Sequence, residues 1–159
     1  LGFTLNGRQL GEEVRLPGSG GDITAHVSLH SIVPIDTLEI VRKGAVVATI
    51  PLTAQRTDVS LDVKLSTHES GWYLLRARGS GAHYPILDVY PYATTSPIYV
   101  IVGGRPIRSP IDARYFIAWI DRLENGAARH QGWNTAAEKD TTLETIRRAR
   151  KVFEQQLQQ

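Results

Sequence analysis

The chain has 159 residues, 42% of them apolar, and a mean hydropathy of −0.20, so one globular domain with room for a real core is expected. A formal net charge of +2 is too small to imply nucleic acid, and no apolar run approaches the roughly 18 residues that cross a bilayer. Cysteine is absent, which excludes disulfides, thiol nucleophiles and thiolate metal sites and is compatible with any compartment.

The charge is unevenly spread. Residues 1–104 carry 8 basic and 9 acidic groups, whereas residues 105–159 carry 10 and 7, so the basic excess belongs to the C-terminal end. Mixed signs of this kind describe a solvated surface. Methionine is also absent, and Leu1 leads directly into strand-like sequence. A piece of a longer protein that begins close to a domain boundary is the expectation.

In chain order, residues 3–5 and 13–16 read as a short strand pair across Asn6-Gly7, a favoured hairpin dipeptide. Residues 17–22 form a glycine-rich loop without the spacing of a phosphate cradle. Residues 23–31 alternate, with Ile23, Ala25, Val27 and Leu29 on one face and Thr24, His26, Ser28 and His30 on the other. Residues 38–42 and 46–50 flank Lys43-Gly44-Ala45 as a hairpin. Val59, Leu61, Val63 and Leu65 alternate again, and residues 71–78, 86–90 and 99–102 supply three further strands. Seven or eight short strands without interleaved helices predict an immunoglobulin-like antiparallel β-sandwich over residues 1–104.

The pattern changes after the Gly103-Gly104 turn. Ser109-Pro110-Ile111-Asp112 reads as an N-cap, a proline at the first helical position and an acidic third residue. Tyr115, Phe116, Trp119, Ile120 and Leu123 then recur at helical spacing as a face to be buried, most simply against the sandwich. Asn125-Gly126 is expected to end that helix. Thr135-Ala136-Ala137-Glu138 opens a second one as a capping box, with Leu143, Ile146, Phe153 and Leu157 on its apolar side. Residues 105–159 are therefore expected to be a two-helix extension, packed on or beside the sandwich as part of the same domain.

Catalytic patterns are sparse. His26 and His30 share a strand face, but four residues at about 3.3 Å each set them roughly 13 Å apart, too far for one metal ion. No HExxH, HxH or GxSxG motif is present. Asp58, Asp62 and Glu69 are the carboxylates a sandwich could bring together for glycosidase work, although nothing in their spacing selects a pair. Trp72, Tyr73, Tyr84, Tyr90 and Tyr92 suit either a core or an aromatic platform for sugars. Arg105 and Arg108 in the connector, and Arg147, Arg148 and Lys151 on the last helix, are the candidate partner contacts.

Six stretches together carry a family resemblance: LGFTLNG at residues 1–7, LEIVRKGAVV at 38–47, ESGWYLLRARG at 69–79, TSPIYVIVGGRPI at 95–107, DARYFIAWIDRLE at 112–124 and GWNTAAEKD at 132–140. In these the chain resembles the C-terminal region of the carbaryl-hydrolase-like (CehA/McbA) metallohydrolases, which are polymerase-and-histidinol-phosphatase (PHP) domain proteins. The resemblance implies a parent whose N-terminal barrel binds divalent metal through its own histidines and carboxylates. None of those ligands can be placed on this sequence, so no catalytic, cofactor-binding or metal residue is assigned here. The implied role is a non-catalytic accessory domain that supports the catalytic domain or its oligomerisation, with that domain or a further copy of the chain as partner. A carbohydrate- or ligand-binding sandwich is the alternative.

Overall fold

The period-two alternation of the sequence becomes the longest pairing in the molecule. In the computed structural model, which describes residues 1–86 and 90–157, β3 (Gly21–His30) and β6 (Asp58–Thr67) run antiparallel in register from Gly21 opposite Thr67 to His30 opposite Asp58. β1 (Gly2–Leu5) adds to the other edge of β3, giving a three-stranded sheet in the order β1-β3-β6. Ile23, Ala25, Val27 and Leu29 point inward and are buried, while Thr24, His26 and His30 face outward and are exposed. Strand residues alternate across the sheet plane, so one apolar face per strand is all that burial requires.

The second sheet contains β2 (Glu13–Leu16), β4 (Thr37–Arg42), β5 (Ala45–Ile50), β7 (Gly71–Arg78), β8 (Tyr92–Thr94) and β9 (Ile98–Val102), in the order β2-β9-β7-β4-β5 with β8 also on β7. One edge of β7 pairs with β4 from Tyr73 to Arg78. Its other edge pairs first with β9, at Gly71–Tyr73, and then with β8, at Arg76–Arg78. Thr95 bridges the junction: its backbone N–H donates to the Leu75 carbonyl, and its hydroxyl accepts from the Leu75 N–H, each at 3.0 Å. Where the edge changes partner, its backbone groups thereby stay satisfied, as burial demands.

Both sheets contribute to one hydrophobic core. Phe3, Leu5, Val27, Leu38, Ile40, Tyr73, Leu75, Ile98 and Val100 lie in a single buried cluster, each nearly or wholly removed from solvent. Burial of such side chains is worth about 1.5–3 kcal/mol apiece before conformational entropy is set against it.

Several sequence expectations change here. β1 and β2 are not partners. The turn at Asn6-Gly7 is present, with φ of 47° and 75°, but beyond it β1 stays with β3 while β2 runs parallel to β9, Glu13 opposite Tyr99. Each short strand gains more by closing a sheet edge than the two could gain from each other. The second sheet is accordingly mixed rather than purely antiparallel. β8 is an additional strand, and the strand expected at residues 86–90 falls largely on residues outside the described ones. The Gly103-Gly104 turn forms as expected, with both φ positive at 58° and 71°. A Cβ on Gly103 would lie 2.8 Å from the Gly18 Cα, so close backbone approach as well as φ fixes glycine there.

The chain divides into two compact units, residues 1–107 and 108–159. The second is a helical hairpin of α1 (Pro110–Arg129) and α2 (Ala136–Gln155). Both predicted caps form. Ser109 Oγ accepts from the Asp112 N–H, and Thr135 Oγ1 accepts from the Glu138 N–H while the Glu138 carboxylate accepts from the Asn134 N–H. α1 does not stop at Asn125-Gly126. The Asn125 side-chain amide donates to the Asp121 carbonyl, and the helix runs one further turn, to a cap at His130. Trp133 then folds back, its indole N–H donating to the Ala127 carbonyl at 3.2 Å.

On α2 the expected Leu143 and Ile146 are buried, but α1 turns a different side inward from the one expected. Ala113, Leu143 and Ile146 are the hairpin's buried apolar residues, with Ile117 and Ile120 half-buried. Tyr115, Trp119 and Leu123 are 65%, 57% and 56% exposed. Phe116 stacks on Phe153 across the hairpin, with ring centroids 5.0 Å apart.

Candidate functional site

The outer face of the β1-β3-β6 sheet brings the sequence's histidines and carboxylates together in a way their spacing alone did not reveal. The β3–β6 register sets His26 opposite Asp62 and His30 opposite Asp58. Nδ1 of each ring lies within hydrogen-bonding distance of its partner's Oδ1, at 2.8 Å and 2.6 Å. The His30 hydrogen bond, and then that of Thr57, hold the Asp58 carboxyl below the usual aspartate range. These are two separate exposed pairs, each spending its carboxylate on its own histidine. They sit four strand residues apart, roughly 13 Å, which exceeds both a shared metal ion and the 5–10 Å span of glycosidase carboxylates. Glu69 is elsewhere, in a turn beside Arg42 at 3.5 Å. Among the described residues, no three histidine or carboxylate side chains gather as a metal site.

A second charged cluster lies on the outer side of the other sheet and was not singled out in the sequence. Glu39 is 7% exposed and receives Arg76 at 2.9 Å and Arg78 at 3.2 Å from the neighbouring strand. The signal that locates it is register, since Glu39 stands directly opposite Arg76 across β4 and β7. With both carboxylate oxygens engaged, Glu39 has its acceptors filled, so the cluster clamps two strands together. At the end of the same strands, Asp36 accepts from the Ser80 N–H and from Arg56. Those hydrogen bonds from Ser80, reinforced by the Arg56 charge, hold its carboxyl below the usual range.

The five basic candidates have different local surroundings. The Arg105 guanidinium donates to the carbonyls of Gly18, His68 and Val102, fastening the connector to two loops. Arg108 is half-buried immediately before the α1 cap. Arg147 reaches across the hairpin to Glu124 at 2.7 Å, and Arg148 donates to Thr145. Lys151 is exposed on α2. Arg150, outside that set, bridges Asp121 and Glu154, and Asp121 raises its pKa further.

The aromatic candidates divide. Tyr73 is core and Trp72 half-buried, whereas Tyr84, Tyr90 and Tyr92 are exposed. A further exposed aromatic surface is on α1. Tyr115 and Trp119 sit with ring centroids 6.3 Å apart on the solvent side, flanked by exposed Ile111 and Leu123. Farther along the hairpin, a recess of about 500 Å³ is lined by Leu123, Gly126, Ala127, Trp133 and Ile146, with His130 at its rim. Among the described residues, no helix is long and apolar enough to cross a membrane. No family model, curated protein or solved structure matches the chain.

Proposed function

We propose that the chain is a non-catalytic accessory domain that supports a metal-dependent hydrolase domain of the PHP type or its oligomerisation. The observation that carries this reading is the exposed aromatic stripe of α1. Four large apolar side chains, Ile111, Tyr115, Trp119 and Leu123, stand more than half exposed on one helix. Contiguous apolar surface of this kind marks a protein-binding face. The titratable groups point the same way. The His–Asp pairs and the Glu39 cluster join neighbouring strands, and each carboxylate is already engaged by a partner in its own sheet.

Within this reading, residues 1–107 form an immunoglobulin-like sandwich. The supporting features are the two sheets on one core, the antiparallel β4-β7-β9 centre, and an N-terminal segment that starts in one sheet and then runs parallel to the last strand of the other. The test is enzymatic. The purified chain is expected to hydrolyse no ester, carbamate or phosphoester in a metal-dependent way, and turnover abolished by a chelator would overturn the reading. Exposed Tyr84, Tyr90 and Tyr92 support a second reading as a carbohydrate-binding module. Saturable binding on a glycan array that is lost in Tyr84→Ala and Tyr92→Ala would establish it in place of the first.

A further inference from the structure

We propose that the exposed face of α1 pairs with the same face of a second copy of this chain, the two helices antiparallel about a two-fold axis at the level of Ile117. The inference rests on the reading of the chain as an association domain, and it names the occupant of the exposed stripe.

The argument begins with spacing. Asp112, Tyr115, Trp119 and Arg122 follow one another at three, four and three residues along α1. That alternation places side chains along one narrow seam of a helix, the seam two helices present to each other when they cross at about 20°. All four are exposed, so the seam is not consumed inside the hairpin. Its middle is aromatic and its two ends carry opposite charge.

An isologous interface sets residue i against j and j against i. With the axis at Ile117, the antiparallel arrangement sets Tyr115 against Trp119 of the other copy, twice. It also sets Asp112 against Arg122 of the other copy, twice. Ile111, Ala118 and Leu123 flank this centre with further exposed apolar surface. A parallel pairing would put Arg122 on Arg122 and Asp112 on Asp112, so the charges select the antiparallel orientation. The seam is thus complementary to itself in both its apolar and its charged parts.

The contact is the face of one helix, small by the standard of stable complexes, so a dissociation constant on the order of 10 µM is expected. Analytical ultracentrifugation of the full chain, from about 1 µM to about 1 mM, should follow a monomer–dimer equilibrium over that range. Asp112→Arg and Arg122→Glu should each raise the dissociation constant by on the order of tenfold, because each change replaces two attractive pairs by two repulsive ones. The double variant, with the charges exchanged, should return to within about threefold of the original. Trp119→Ala should remove the dimer. Circular dichroism of each variant checks that the helices remain formed. A chain that stays monomeric throughout, or a dimer indifferent to both charge reversals, overturns the proposal. Monomers that instead bind a separate metallohydrolase domain through Trp119 overturn it too, while leaving the accessory role standing. Chelator-sensitive turnover would defeat the accessory role without bearing on the dimer.

Discussion

The two units of this chain solve burial in opposite ways. In residues 1–107, two sheets face each other, and every strand that crosses the core contributes its inward residues to one cluster. In residues 108–159, two helices of 20 residues each meet along a single line and bury only Ala113, Leu143 and Ile146 fully among their apolar residues. Two layers of sheet enclose the volume between them. Two cylinders touch along a stripe, so a helix with more than about 100° of apolar surface has some left over. The leftover on α1 includes two of the larger aromatic side chains in the protein. The lesson is that the sheets carry stability and the hairpin carries surface.

That contrast can be broken most severely in the β core. Leu75→Ala, at a fully buried position between the sheets, should destabilise residues 1–107 by about 2–5 kcal/mol, read as a lowered urea midpoint. Ser70→Ala should cost about 1–3 kcal/mol in the same assay. The buried Ser70 hydroxyl donates to the Arg105 carbonyl at 2.6 Å and accepts from the Val102 N–H at 2.9 Å, and both backbone groups would lose their partner. Trp119→Ala should shift thermal stability by less than about 1 kcal/mol, because the ring is 57% exposed and leaves little cavity behind. A large loss at Trp119 would mean that the hairpin depends on its exposed face for folding, and the contrast would fail.

Acid should act on the β unit through Asp36 and Asp58. Hydrogen bonds from Ser80 with the Arg56 charge, and from His30 with Thr57, depress these two carboxyls below their ordinary value. A carboxyl depressed in the folded state contributes stability that is fully present above its unfolded pKa and lost as pH falls through the folded one. The β unit should therefore hold its urea midpoint down to about pH 4 and lose it below. Asp36→Asn with Asp58→Asn should flatten that fall. A midpoint that rises on acidification would contradict the assignment.

Much of the fold was legible in the sequence because alternation is a local signal. Ile23 to Leu29 announce their face whichever strand lies beside them. The Lys43-Gly44 turn and the two helix caps are equally local, since each is satisfied within four residues. Partnership was not legible. Asn6-Gly7 makes a turn, but whether β1 and β2 pair across it depends on the edges offered by β3 and by β9, the second of which lies far along the chain. The candidate site followed the same division. His26, His30, Asp58 and Asp62 could all be named from the sequence, whereas their pairing into two separate units needed the register of β3 against β6. The apolar face of α1 was visible at helical spacing, yet its centre was misplaced. Ala113, Ile117 and Ile120 form the inward side, and the more conspicuous aromatics turned out to be the outward one.

The sequence by itself determined the kind of most elements: short strands first, a glycine turn, then two capped helices. Each of those features is governed by interactions among residues a few positions apart. Tertiary structure alone decided which strands share an edge, which carboxylate meets which histidine, and which side of α1 remains in water. Those outcomes depend on groups brought together from distant parts of the chain, and hydrophobic burial, being non-directional, favours hiding an apolar side chain without specifying what should cover it.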